Sequence, residues 1–117
     1  MERKLGFSTG VFGKSIMGLL ERIRILRGAG CRSIELCYVN LADFESSALD
    51  TLRAADLHGF EYVSLHAPKF EYGKNEGTKK IFGKILRLER RPDLVVIHPD
   101  TIIKGEENVF VSPGFNV

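Results

Sequence analysis

Two histidines in this 117-residue chain carry the strongest chemical signal, His66 in Leu65-His66-Ala67-Pro68 and His98 in Ile97-His98-Pro99-Asp100. Each closes a short β-rich run, and each is followed within two residues by a proline, which restricts the residue before it to extended backbone. Adjacent parallel strands lie about 4.8 Å apart. A zinc–nitrogen bond is about 2.0 Å long. Two imidazoles at the ends of neighbouring strands could therefore share one divalent metal ion. Successive strand residues point to opposite faces, so each run sorts into two sets. One reads Leu5 and Phe7, Ile34 and Leu36, Val63 and Leu65, Val95 and Ile97. The other reads Gly6 and Ser8, Glu35 and Cys37, Ser64 and His66, Val96 and His98, becoming polar at the carboxyl end of every run. Ser8, Cys37, His66 and His98 recur at near-equal intervals, which predicts one common station per unit. Glu35, one layer below Cys37, is a candidate ligand, a carboxylate that orients an imidazole, or a catalytic acid–base group.

Other residues offer weaker chemistry. Lys69 and Lys74, in the loop after the third run, could contact an anionic substrate, and Phe70 and Tyr72 could cover a ligand or pack the loop down. Asp100 is a substrate-binding candidate that also suits an ordinary turn, and Ser8 is another from the polar row. His58, in Leu57-His58-Gly59, is expected to cap a helix end, where an imidazolium suits the dipole. Glu89-Arg90-Arg91 is expected to be a solvated helix end. Gly10, Gly13 and Gly18 have the wrong spacing for a phosphate cradle.

These groups need elements to hold them. The β-rich runs are Lys4–Ser8, Ser33–Val39, Tyr62–His66 and Leu94–His98. The first intervening segment carries Ile16, Leu19, Leu20, Ile23 and Leu26 on one helical face, with Ser15 as N-cap and Gly28 and Gly30 as the stop. The second helix is expected to start near Ser46 or Ser47, carry Leu49, Leu52 and Ala55, and end at His58-Gly59. The third is expected to begin with Thr78 as N-cap and carry Ile81, Phe82, Ile85 and Leu86, before Pro92 forbids continuation. The order βαβαβαβ predicts an α/β fold with a parallel sheet and right-handed crossovers. Loops leaving the strands are longer than those entering them, Ala67–Gly77 above all. In parallel α/β folds, ligands bind at the carboxyl ends of the strands.

Composition bounds the rest. At 13.1 kDa, with 44% hydrophobic and 27% charged residues, residues 1–117 read as a single domain of ordinary globular make-up. Seventeen basic against fifteen acidic side chains give a net charge of +2, too balanced to argue for nucleic acid. There is no run of about 18 apolar residues that would span a membrane, and the charged start leaves no room for a signal peptide. Cys31 and Cys37 stand roughly 20 Å apart if extended, too far for a disulfide. Two free thiols and a cytoplasmic setting are expected. The length is short of the roughly 200 residues that a complete eight-stranded α/β barrel requires.

Lys4-Leu5-Gly6-Phe7-Ser8-Thr9-Gly10, Ala29-Gly30-Cys31-Arg32-Ser33-Ile34-Glu35-Leu36, Val63-Ser64-Leu65-His66-Ala67-Pro68 and Val95-Val96-Ile97-His98-Pro99-Asp100 together resemble the xylose-isomerase-like barrels. That group includes sugar-phosphate isomerases and epimerases and the endonuclease IV type of apurinic-site nuclease. The resemblance implies half of a TIM barrel, with four strands, three helices and Phe115-Asn116-Val117 as the start of a fifth strand. It implies His66 and His98 as metal ligands, with zinc, manganese or magnesium as the ion and a sugar or sugar phosphate as substrate. Strands five to eight and their ligands are then missing, and the chain is expected to be a fragment, a truncated product, or a natural N-terminal half that pairs with a second half-barrel or a homodimer partner. The isolated chain is then expected to show little or no turnover. Two other functions fit the same residues. One is zinc-dependent phosphodiester hydrolysis at abasic DNA, which the missing basic stripe argues against. The other is a half-barrel assembly module with no catalysis.

Overall fold

The computed structural model describes residues 6–8, 16–38, 40–46 and 49–110. The fold is α/β. Four parallel strands, β1 (Gly6–Ser8), β2 (Ser33–Cys37), β3 (Tyr62–His66) and β4 (Leu94–Val96), lie in the order in which the chain makes them. Three α-helices, α1 (Ile16–Gly28), α2 (Leu41–Ser46) and α3 (Glu76–Leu86), alternate with them. Short 3-10 turns complete the description, at Leu49–Thr51 and Ala54–Leu57 before β3 and at Pro99–Thr101 and Glu107–Phe110 after β4.

Burial follows strand parity. Ile34, Leu36, Val63, Leu65 and Val95 are buried. They form the floor of a core closed by Leu19, Ile23 and Leu26 of α1, Phe44 of α2, and Ile81, Phe82 and Ile85 of α3. The alternate residues Ser33, Glu35, Cys37, Ser64, His66, Leu94 and Val96 are all only half-buried. Helices thus cover one face of the sheet. The physical reason is the strand order: successive right-handed crossovers that always step to the next position must all lie on the same side.

The helix boundaries follow from local hydrogen bonds, and two of them correct the sequence reading. α1 ends as read: Gly30, at φ +83°, lets Cys31 N–H reach Leu26 O and Gly30 N–H reach Arg27 O, which satisfies the last carbonyls. Its proposed cap Ser15 lies outside the described residues. The second helix is not at 46–58. Asn40 Oδ1 accepts from the backbone N–H of Ala42 at 2.8 Å and starts α2 earlier. Extended Arg53 (φ −93°, ψ 153°) then separates two 3-10 turns. Leu49 and Leu52 are buried as expected, while Ala55 is exposed and Leu57 takes the core position. A spacing of three serves a 3-10 turn as well as an α-helix, so periodicity could not separate them. The third helix starts before Thr78. Asn75 Oδ1 accepts from Thr78 N–H at 2.8 Å, making Asn75 the cap, and the buried Thr78 hydroxyl accepts from Gly73 N–H at 3.0 Å. β2 and β4 are also shorter than read, ending at Cys37 and Val96.

Two polar groups bind these pieces together. Lys84 is buried on α3, and its Nζ donates to the carbonyls of Phe44 at 2.8 Å and Glu45 at 3.1 Å. It thereby satisfies the end of α2, where carbonyls lack helical partners and a cation suits the dipole. Asp93, ahead of β4, accepts from Val63 N–H and from Arg90, both at 2.9 Å, while its own N–H donates to Val63 O. The segment Glu89-Arg90-Arg91 is therefore no mere solvated end: Arg90 pairs with Asp93, and Glu89 accepts from Ala54 N–H at 3.1 Å. The Arg90 hydrogen bond, helped by the Val63 N–H, holds the Asp93 carboxyl below the usual carboxylate range against the opposing effect of burial. Among the described residues no helix is long and apolar enough to cross a membrane.

Lys84→Met should lower unfolding stability by about 1–3 kcal/mol, because two carbonyls lose their donor. Thermal or urea melts measure this. For Asp93→Asn the cost at pH 7 should be about 1 kcal/mol or less, since the side chain is 37% exposed and solvent screens the pair. A depressed carboxyl pKa contributes stability above the unfolded value of about 3.9 and loses it as pH falls through the folded value. The gap between wild type and Asp93→Asn should accordingly close in urea melts below about pH 4.

Candidate functional site

The site forms at the carboxyl end of the sheet, on the face that the helices leave open. β3 delivers His66 at its last residue, level with Cys37 of β2 and Val96 of β4. Ser8 is level with Glu35, not with Cys37, and His98 lies two residues beyond Val96. This corrects the expectation of one common station: the four residues do not share a level. The strand ladder closes at Ala67 N–H to Val96 O, 3.0 Å. The acceptor that a further rung would use, Ala67 O, instead takes a hydrogen bond from the His66 ring.

The two imidazoles meet across that offset. His66 Nε2 and His98 Nε2 are 3.1 Å apart, with ring centroids at 5.0 Å and planes inclined by 59°. His66 Nδ1 lies 3.0 Å from Ala67 O. A carbonyl only accepts, so Nδ1 carries the hydrogen, and in the neutral ring Nε2 presents its lone pair toward His98. A hydrogen on His98 Nε2 can fill the contact. With His98 in the other tautomer, two lone pairs converge on one point. A spacing of 3.1 Å is close to that of two nitrogens held ~2.0–2.1 Å from one ion at an angle of roughly 100°. His66 is half-buried and His98 exposed, so a solute can reach the pair.

The other candidates are less concentrated. Glu35 is half-buried on the open face, one inward layer below Cys37 and level with Ser64. Among the described residues no three His, Cys, Asp or Glu side chains surround one point, so Glu35 and Cys37 do not complete the imidazole pair. Lys69 is exposed in the loop after β3, and Asp100 is exposed in the 3-10 turn after His98. The backbone of Ser8 lies in β1; its side chain is outside the described residues, as are Phe115, Asn116 and Val117. Lys74 is exposed, and its N–H donates to Glu106 Oε1 at 2.9 Å. His58 has the capping role read for it, with Nδ1 donating to Ala55 O at 2.9 Å.

Sequence reasoning gave too little weight to what supports the pair. Tyr72 is buried and stacks on Phe82, with ring centroids 6.1 Å apart. Its hydroxyl donates to Pro68 O at 2.5 Å, and burial raises its pKa far above the ordinary phenol range. The Tyr72 backbone also pairs with the segment after β4, accepting from Ile103 N–H at 2.8 Å and donating to Thr101 O at 2.9 Å. Phe70 packs on the same ring and over Gly77, where an added Cβ would lie 2.1 Å from the Phe70 ring. The aromatic pair in this loop therefore packs it down. The one available signal was Thr101 three residues after His98, a spacing suited to a hydroxyl-closed turn.

No protein-family model matches the chain, and no curated protein or solved structure is significantly similar to it.

Neither Cys31 nor Cys37 is in a disulfide; Cys31 is buried and Cys37 half-buried. An aromatic disulfide reagent should therefore titrate one thiol quickly in the native protein and two after denaturation. Two fast thiols in the native state would contradict this burial.

Proposed function

We propose that the chain forms half of a xylose-isomerase-like α/β barrel whose site is a divalent-metal centre acting on a sugar or sugar phosphate. The observation that carries the reading is the 3.1 Å approach of His66 Nε2 to His98 Nε2 at the carboxyl end of the open face. Strand order supports it. A sheet ordered β1-β2-β3-β4 with helices on one face is what a closed barrel needs. Doubly wound sheets instead reverse direction and carry helices on both faces. The half-buried inner face and the sheet edges at β1 and β4 would be closed by four further strands, from a second half-barrel or from a second copy.

In this reading His66 and His98 supply two ligands through Nε2. The Nδ1–H bond to Ala67 O holds His66 in the tautomer and orientation that a metal ligand requires. A bound divalent ion would polarise a carbonyl or hydroxyl oxygen of the substrate and stabilise the negative charge that develops there. Glu35, on the same face, is the carboxylate available to move a proton. Lys69 and Asp100, in the loops after β3 and β4, and Ser8 at the end of β1 are the candidates for holding substrate. Two imidazoles fall short of the three protein ligands usual at a catalytic zinc, so the isolated chain should bind metal without turnover.

Calorimetric titration with Zn²⁺ or Co²⁺ at pH 7 tests this reading. One ion should bind per chain, and His66→Ala or His98→Ala should abolish it. Because imidazole binds metal only when neutral, affinity should fall as the pH is lowered. Absence of binding, or binding unchanged in both variants, would overturn the reading.

A further inference from the structure

Tyr72, in the loop after β3, links the two histidine-bearing turns. Its hydroxyl donates to Pro68 O, two residues past His66 and next to the Ala67 carbonyl that receives His66 Nδ1–H. Its N–H donates to Thr101 O at 2.9 Å. Thr101 in turn closes the turn on His98, donating to His98 O from its hydroxyl at 2.6 Å and from its N–H at 3.0 Å. The chain of contacts runs from the His66 turn, through one buried side chain and its own backbone, to the His98 turn.

The offset between the histidines makes this support necessary. His98 lies past the last rung of the β3–β4 ladder, so strand pairing alone does not set its distance from His66. An imidazole spacing of 3.1 Å between a strand end and a loop position requires that the two turns be fixed relative to each other. Groups that orient metal-binding histidines are commonly worth ten- to a hundredfold in affinity.

We propose that Tyr72 and Thr101 are the positioning residues of the histidine pair: together they hold the two turns so that the Nε2 atoms converge. The proposal rests on the metal-centre reading for its purpose but not for its geometry. Tyr72→Phe removes the Pro68 bond and keeps the stack on Phe82. Thr101→Val removes the hydroxyl bond to His98 O, and Thr101→Ser restores it.

Two readouts keep the proposal separate from the metal reading. The first is Zn²⁺ affinity: Tyr72→Phe and Thr101→Val should each weaken it by roughly tenfold or more, while Thr101→Ser stays close to wild type. The second needs no metal. Long-range ¹H–¹⁵N spectra of the imidazoles should show His66 as the pure Nδ1–H tautomer in the wild type and Thr101→Ser. Mixed tautomers are expected in Tyr72→Phe and Thr101→Val. If the wild type binds no zinc, the metal reading falls and the nitrogen spectra alone judge the positioning role. Unchanged spectra in Tyr72→Phe and Thr101→Val, or Thr101→Ser behaving like Thr101→Val, would overturn it.

Discussion

The constraint on which this fold depends is that each parallel strand is laid beside the one just made, always on the same side. A right-handed crossover then has one place to go, and all three helices accumulate on one face. That face receives Ile34, Leu36, Val63, Leu65 and Val95 of β2, β3 and β4, and closes over them with α1, α2 and α3. The other face is left with Ser33, Glu35, Cys37, Ser64 and His66, whose polarity is consistent with their partial exposure, and with the half-buried Leu94 and Val96. The site and the core are thus two consequences of one winding rule, written into alternate residues of the same strands.

Holding a histidine pair at the end of such a sheet poses a separate problem. The ladder positions His66 directly but stops short of His98. The gap is bridged by loop structure: a parallel bridge between Tyr72 and Ile102, a 3-10 turn closed on His98 by Thr101, and a phenol anchored on Pro68. These contacts surround a core aromatic, so the geometry of the open face is tied to the packing of α3 through Phe82. The polar groups at the other end, Asp93 with Val63 and Arg90, fix the entry of β4 in the same way.

Much of this could be read from residue order. The parity of β2, β3 and β4 matched the burial seen, because alternation in a strand leaves little freedom once one face is packed. The approach of His66 and His98 was legible for the same reason, though not their offset. Register depends on where the ladder ends, which is decided by the Ala67 carbonyl and by loop contacts that carry no periodic signal. The second helix was misplaced because Leu49 and Leu52 have the spacing of both an α-helix and a 3-10 turn. Thr78 looked like a cap but serves three residues inside α3, since Asn75 offers the same chemistry earlier. Nothing in the residue order singles out Lys84. Its burial became evident only from the unsatisfied end of α2 packed against it.

The proposed metal centre requires that the open face offer two imidazole nitrogens to one divalent ion. X-ray absorption at the zinc edge of the metal-loaded protein tests this most directly. Two imidazole nitrogens are expected at about 2.0 Å, and this signal should be lost in His66→Ala and in His98→Ala. A zinc spectrum without imidazole scattering, or one that is the same in the wild type and both variants, would contradict it.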